Sequence, residues 1–159
     1  MRTIRVRPLT ADGFAAYGEV LAVPDDPGRA YFERALANRR AEARASLSLV
    51  RKPPIDGLPL EARVMERHEF SSQTLVPLGP ARWLVVVAPH LATEAKPDAS
   101  RMEAFLVGPG QGVTYGADVW HHPLTVLDAP AEFAVFMWRD GTAGDEEFVD
   151  IEPVVVASS

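Results

Sequence analysis

The segment "VMERHEFSSQTLVPLG", residues 64–79, contains two short apolar runs on either side of a polar turn. The runs 62–70 and 73–78 are rich in β-branched and aromatic residues, and two serines separate them. Short runs of this composition, bounded by turn residues, are typical of β-strands. The segment therefore predicts two successive strands joined by a turn at Ser71-Ser72.

The rest of the chain repeats this pattern. Glycine and proline are spread along its whole length and divide it into short segments. About ten of these segments are typical of strands, which favours a mostly β fold, a β-sandwich or barrel with few short helices. Beyond the first two, they are residues 4–7, 19–23, 46–50, 83–88, 103–107, 112–116, 119–127, 132–138 and 148–152.

Helix is predicted in only two places. In "TADGFAAYG", residues 10–18, Thr10 is a suitable N-cap and Gly18 suits the position after the C-terminus. Residues 29–45 have a helix-forming composition, but their apolar side chains do not form a continuous stripe. We expect a short helix at the first position and a weak one at the second. The tail "VVVASS", residues 154–159, is expected to fray.

Composition is that of a globular protein. The chain has 159 residues, of which 47% are apolar, enough to bury a core. No apolar run approaches the ~20 residues that span a membrane, and the N-terminus lacks the apolar region of a secretory signal. The absence of cysteine excludes disulfides and thiolate metal sites. The net charge of −6 argues against nucleic-acid binding. We therefore expect a cytoplasmic protein without nucleic-acid or membrane partners.

Polar side chains interrupt the first of the two opening strands. Alternate residues of a strand share a face, so Glu66, His68 and Phe70 should point the same way. If that face points into a barrel, it brings a carboxylate and an imidazole inside, and Gln73 follows on the next strand. The alternative is that residues 66–69 form a charged, solvated strand.

The stretch "QGVTYGADVWHHPL", residues 111–124, holds two of the four histidines. On a regular strand Trp120 and His122 face one way and His121 the other, so only one histidine can point into a barrel. The pair is either a chemical site or one packed and one exposed residue. Two imidazoles, a carboxylate and an amide oxygen suit a divalent transition metal. Glu66, His68, Gln73 and one histidine of the pair could supply these four ligands.

The two stretches "RHEFSSQTLVPL" and "GQGVTYGADVWHHPL", in that order, resemble the ureidoglycolate lyase family. The likeness extends to "PLTADGFAAYGEVL", "SLSLVRKPP" and "EAFLVGPGQGV" and covers roughly residues 8–139. It implies one cupin-like domain, a double-stranded β-helix, over residues 1–159. In the usual cupin motif two histidines and an acid lie on one hairpin and a third histidine lies on a later strand. The resemblance places Glu66, His68, Gln73 and His121 at these four positions.

The resemblance also implies a reaction. Members of the family cleave ureidoglycolate to glyoxylate and urea in allantoin degradation. The expected cofactor is a divalent metal (nickel, manganese or zinc), and no organic cofactor is expected. His68 or Glu66 is the expected base, and His121 or His122 the expected acid. An arginine fork suits a carboxylate, so Arg51 is expected to bind that group of the substrate. Further candidates for substrate binding are Ser48, Gln73, Lys96 and Tyr115.

Two positions depart from the family pattern. Val50 and Trp138 stand where other residues are usual, and a change near the pocket would alter the substrate. The alternatives are therefore a related cupin acting on another small hydroxy acid, or a non-catalytic cupin that binds a small carboxylate. A homodimer is expected because open sheet edges need covering. The acidic "GDEEF", residues 144–148, is predicted to be a solvated turn.

Overall fold

The computed structural model describes residues 1–159, which form twelve β-strands, one short α-helix and two 3₁₀ turns. The strands are β1 (Arg2–Pro8), β2 (Gly18–Ala22), β3 (Arg44–Lys52), β4 (Leu60–Arg67), β5 (Gln73–Pro77), β6 (Arg82–Ala88), β7 (Glu103–Leu106), β8 (Gln111–Tyr115), β9 (Trp120–His121), β10 (Thr125–Leu127), β11 (Ala131–Arg139) and β12 (Glu147–Ala157). The helix α1 is Ala11–Phe14, and the turns are Ala99–Arg101 and Ala143–Asp145. None of these helical segments has the length or apolarity needed to cross a membrane.

The strands form two sheets. The larger has the order β10-β6-β7-β1-β12-β4-β9, and an added pairing of β6 with β9 closes six of its strands into a barrel. The smaller has the order β2-β8-β5-β11-β3. Strand β1 runs parallel to both its neighbours, and the other pairings are antiparallel. The prediction of a mostly β sandwich barrel with few short helices is confirmed.

Two apolar cores lie on opposite faces of the larger sheet. Because side chains alternate along a strand, β6 sends Trp83, Val85 and Val87 to one core and Leu84, Val86 and Ala88 to the other. The inter-sheet core lies between the two sheets and also contains Phe14, Leu75, Phe105, Val113, Tyr115 and Phe133. The barrel core fills the closed barrel and also contains Ile4, Val6, Met65, Trp120, Val154 and Val156.

Strands β4 and β9 carry this alternation to the polar residues. Glu66 and His121 are paired in register across the two strands. Their chain neighbours Met65 and Trp120 belong to the barrel core. Glu66 and His121 therefore face the inter-sheet space, and the opposite facing predicted for Trp120 and His121 is confirmed.

Four local predictions need correction. Residues 29–45 form no helix, consistent with the missing apolar stripe. The predicted strand 119–127 is two strands, β9 and β10, on either side of Pro123, which cannot donate a ladder hydrogen bond. The predicted helix over 10–18 is confined to α1. The tail does not fray before Ala157, because it pairs in parallel with β1 and buries two valines in the barrel core.

Candidate metal centre

Glu66, His68 and His121 come together at the inter-sheet face of β4 and β9. One ligand atom from each lies within 4.8 Å of those of the other two. His121 Nε2 is 3.3 Å from a carboxylate oxygen of Glu66, and the two imidazole rings are 5.4 Å apart. His68 and His121 are only 5% and 1% exposed. The cluster is therefore a group of three potential metal ligands, of which the two histidines are buried and Glu66 is partly buried.

Hydrogen bonds fix which imidazole nitrogen carries the proton. His68 Nδ1 lies 2.8 Å from the backbone carbonyl oxygen of Asp145, and His121 Nδ1 lies 2.9 Å from that of Val119. A carbonyl oxygen only accepts, so each Nδ1 must be the donor. A neutral ring then has a lone pair on Nε2. Both Nε2 atoms are buried and have no hydrogen-bond partner.

These donor atoms fit a divalent metal ion. Two imidazole lone pairs and a carboxylate converge with no proton between them, an arrangement that is costly when buried. A cation at their centre would satisfy all three groups at once. Metal-binding histidines commonly donate the other ring N–H to a backbone carbonyl, as His68 and His121 do. Imidazole and carboxylate together suit several transition metals.

The electrostatics of the cluster favour the ligand-competent protonation states. Burial lowers the pKa of His68, and the neighbouring charge of His121 lowers it further. Burial acts to raise the pKa of Glu66, but the close approach of His121 outweighs it and holds that pKa below its ordinary value. At neutral pH, His68 is therefore neutral and Glu66 is ionised.

Tyr115 forms a wall of the cluster. Its ring stacks on His121, with centroids 4.0 Å apart and planes inclined by 10°. Burial raises the pKa of its phenol far above the ordinary value. The predicted substrate-binding residue thus lies beside the candidate ligands as a neutral aromatic surface, and it restricts the orientation of the His121 ring.

A cavity of about 210 Å³ opens beside His68. Ser48 and Gln73, two of the predicted substrate-binding residues, line it together with Ser46, Met137 and Arg139. Gln73, Met137 and Ser46 lie in one row across β5, β11 and β3. Cavity and cluster are joined through His68, so a small molecule in the cavity would lie next to the candidate ligands.

Arg51 and Lys96 are not brought to the cavity. Arg51 lies on the opposite face of β3 from Ser48; its side chain is 76% exposed and pairs with Glu132. Side chains alternate along β3, so its odd-numbered residues, including Arg51, point outward, whereas the even-numbered Ser48 points toward the cavity. Lys96 forms an exposed pair with Glu94. These two residues therefore lie away from the cavity in which the sequence predicted them to bind substrate.

His122 lies next to the cluster but is tied to its own loop. Its Nδ1 is 3.0 Å from the carbonyl oxygen of Pro123 and from the Thr125 hydroxyl. Burial lowers its pKa, which favours the neutral ring. The structure thus separates the two adjacent histidines: His121 belongs to the cluster, and His122 braces the turn before β10.

The two departures from the family pattern do not line the cavity. Val50 packs against the inter-sheet core. Trp138 lies on the opposite face of β11 from Met137 and Arg139, with its ring 4.9 Å from that of Phe136. The expectation that these two side chains alter the cavity is therefore not supported by their positions.

Sequence reasoning missed Asp145, which was assigned to a solvated acidic turn. Its carboxylate is buried and accepts hydrogen bonds from Arg40 and from the backbone N–H groups of Asp140 and Gly141. Burial acts to raise its pKa, but these bonds lower it to about 2. Asp145 holds His68 through its backbone carbonyl, a group that every residue has. The sequence therefore carried no signal for this contact.

A second missed feature is a brace on the other side of β4. The buried Arg67 donates to Asp118 at 2.6 Å and to Glu147 at 2.7 Å, and its guanidinium lies 4.8 Å from the Trp120 ring. The backbone N–H of Asp118 in turn donates to the carbonyl of His68. The brace links the end of β4, where Glu66 lies and which His68 follows, to the residues that lead into β9.

Comparison with known proteins finds relatives that span nearly the whole chain. The family model described as ureidoglycolate lyase matches residues 1–158. A relative from Agrobacterium fabrum is 38% identical over 91% of this chain and 88% of its own. A protein from Mesorhizobium japonicum named ureidoglycolate lyase is 37% identical over 93% of each chain. One from Chelativorans with the same name is 35% identical over 96% of this chain and 95% of its own.

Among solved structures, a dTDP-6-deoxy-D-glucose-3,5-epimerase from Legionella pneumophila aligns with 64% of this chain and 51% of its own. The sequence identity is 15% and the TM-score 0.43, too weak a likeness to bear on function. The family model and the relatives, by contrast, span nearly the whole chain. The chain therefore belongs to the ureidoglycolate lyase family.

Proposed function

We propose that this protein is an enzyme, a lyase that cleaves ureidoglycolate to glyoxylate and urea. The observation that carries the proposal is the largely buried cluster of Glu66, His68 and His121, which has two unpartnered imidazole nitrogens and meets a small cavity through His68. Relatives that match nearly the whole chain bear the name of this activity. The substrate places the reaction in allantoin and purine nitrogen degradation.

The chemistry is the collapse of a carbinolamide. A base removes the proton of the substrate hydroxyl, the oxygen forms the carbonyl of glyoxylate, and the C–N bond breaks. The departing nitrogen takes a proton and leaves as urea. Glu66 is ionised at neutral pH and belongs to the cluster that meets the cavity through His68, so it or His68 is proposed as the base. The proposed acid is His121 in a cluster without metal, or His122, which is not one of the three candidate ligands; such acid–base help contributes roughly 10²–10⁴-fold.

Glu66, His68 and His121 would also hold a divalent metal, with Gln73 as a fourth candidate. Nickel, manganese and zinc all accept such ligands. When bound, the ion would act as a Lewis acid that lowers the pKa of the substrate hydroxyl. No organic cofactor is proposed. Ser48 and Gln73 line the cavity and are proposed to contact the substrate, while Tyr115 supports His121.

Urea release from ureidoglycolate by the purified protein tests the proposal. The reaction is followed before and after metal removal by a chelator, and again after addition of nickel, manganese or zinc. Activity that falls with the chelator, returns with one of the metals and is lost in His68→Ala and His121→Ala supports the proposal. A rate no higher than the spontaneous one with all three metals would contradict it.

We further propose that the protein is cytoplasmic, lacks nucleic-acid partners and is a homodimer of single-domain chains. Support for the dimer comes from β3, an open edge of the smaller sheet. Two of its outward side chains, Leu47 and Leu49, are 72% and 71% exposed. Light scattering after size exclusion measures the assembly. A dimer mass that shifts to a monomer mass in Leu47→Lys is expected, and a monomeric wild type would contradict the proposal.

A further inference from the structure

Arg139 lies on the same side of the smaller sheet as the cavity. It is the last residue of β11, and Val135, Met137 and Arg139 alternate along one face of that strand. All three side chains line the cavity beside His68. Arg139 is the one arginine or lysine among the lining residues. Its side chain is 54% exposed, so it lies at the rim of the cavity.

The guanidinium of Arg139 is available to a ligand. Its ion pair with Asp145 measures 3.6 Å, longer than a hydrogen bond. The Asp145 carboxylate has hydrogen-bond donors without Arg139, because Arg40 donates to it at 2.8 Å and two backbone N–H groups also donate to it. Arg40 is largely buried and pairs with both Asp140 and Asp145. Of the two arginines that pair with Asp145, only Arg139 lines the cavity.

An anionic ligand would need a positively charged side chain in this cavity. Glu146 also lines the cavity and is exposed, and its negative charge would repel a carboxylate. Arg139 offsets this charge. A guanidinium also presents two parallel N–H groups that match the two oxygens of a carboxylate. Arg51, predicted from the sequence to bind the carboxylate, already pairs with Glu132 on the outer surface.

We propose that Arg139 binds the carboxylate of the substrate and so selects α-hydroxy acids over their uncharged analogues. This inference rests on the proposed function, because ureidoglycolate carries a carboxylate next to the reacting carbon. With the carboxylate at Arg139, the reacting carbon is directed inward, toward His68. Ser46 and Ser48, on the neighbouring strand, lie where their hydroxyls can contact the bound molecule.

The test compares the wild type with Arg139→Gln and Arg139→Lys, each loaded with metal. Urea release is measured with ureidoglycolate and with its methyl ester, and Arg51→Gln is the matched control. In Arg139→Gln we expect the KM for ureidoglycolate to rise about 10- to 100-fold with little change in kcat. The preference for the acid over the ester should be lost, and Arg139→Lys should fall between the two. Arg51→Gln should match the wild type.

An Arg139→Gln enzyme with the KM and the acid preference of the wild type would overturn the inference. Binding of glyoxylate, measured by calorimetry, separates it from the proposed function. If the wild type releases no urea, the proposed function fails. Weaker glyoxylate binding by Arg139→Gln would still support the inference that Arg139 binds a carboxylate. Equal glyoxylate affinity in the two proteins would overturn the inference in either case. If Arg139→Gln fails to fold, Arg139→Lys provides the same comparisons.

Discussion

The two faces of β4 and β9 differ sharply, although they share the same backbone. On one face Met65 and Trp120 fill the barrel core, whose members are all apolar. On the other, one residue further along each strand, Glu66 and His121 converge with His68. Both faces are buried, so burial does not distinguish them. They differ in whether their buried polar atoms have partners within the chain.

This difference separates stability from chemistry. The barrel core is closed on all sides by six strands and contributes through apolar burial. The polar face leaves two imidazole nitrogens without partners, an arrangement that a protein selected for stability alone would avoid. Because side chains alternate between the two faces of a strand, the same strand can contribute to the barrel core on one face and to the cluster on the other. Changes on the two faces should therefore have different consequences.

The largest effect is expected on the polar face. His121→Ala removes a residue that is proposed as a metal ligand or, without metal, as the acid, so urea release should fall by about 10²–10⁴-fold. Binding of nickel, manganese or zinc, followed by calorimetry, should weaken together with activity, and His68→Ala should behave alike. Near wild-type metal affinity in both variants would remove the distinction between the two faces.

Replacing the next residue on the barrel face should have the opposite outcome. Met65→Ala leaves a cavity in the barrel core and should reduce the free energy of unfolding by about 2–5 kcal/mol. Urea denaturation measures that loss, and activity per folded molecule should stay near the wild-type value. Glu66→Gln is the matched variant on the polar face, with lost activity and a small change in stability. If both variants lost only activity, the two faces would not be separable.

Replacing Arg67, the central residue of the brace, tests whether the two faces of β4 and β9 are coupled. Arg67 lies on the barrel side but holds Asp118, whose backbone contacts His68. Arg67→Ala should weaken metal binding about 10- to 100-fold, the usual cost of losing a group that orients metal ligands. The ion affinity of the folded variant, measured by competition with a chelator, is the readout. A variant that is less stable but binds metal normally would show that Arg67 is structural only.

A smaller effect is expected from replacing Tyr17, whose side chain belongs to the inter-sheet core and whose hydroxyl has a hydrogen-bond partner. Its hydroxyl donates to Glu103 at 2.6 Å, and burial together with Glu103 raises its pKa far above the ordinary value. The unfolded chain then loses the phenol proton first, so stability should fall as the pH rises above about 10. Denaturation at pH 8 and pH 10.5 should show a smaller alkaline loss in Tyr17→Phe. An equal loss would contradict this role.

The smallest effect is expected on the outer surface. Arg51 is exposed and paired with Glu132, and exposed ion pairs contribute about 0–1 kcal/mol. Arg51→Ala should leave the KM unchanged and alter stability by less than about 0.5 kcal/mol. A large rise in KM, measured in the urea-release assay, would restore the original prediction that Arg51 binds the carboxylate.

The contrast between Glu66 and Asp145 shows what the sequence could predict. Alternation and turn residues were enough to predict the strands and to place Glu66 and His68 on one face. The contacts of Asp145 and Arg139 depend on how β11 and the following turn pack, which no local pattern encodes. Arg51 was predicted from its chemistry alone, and a strand sends a side chain inward or outward by its position. The resemblance to the family gave the general class of site but not these contacts.

Anomalous diffraction from crystals grown with nickel, manganese or zinc tests the proposed centre most directly. Data are collected on both sides of the absorption edge of the metal. The expected result is one strong peak per chain, within about 2.0–2.2 Å of Nε2 of His68, Nε2 of His121 and a carboxylate oxygen of Glu66. A peak elsewhere, or no peak in crystals of active protein, would contradict the assignment of these three residues as a metal centre.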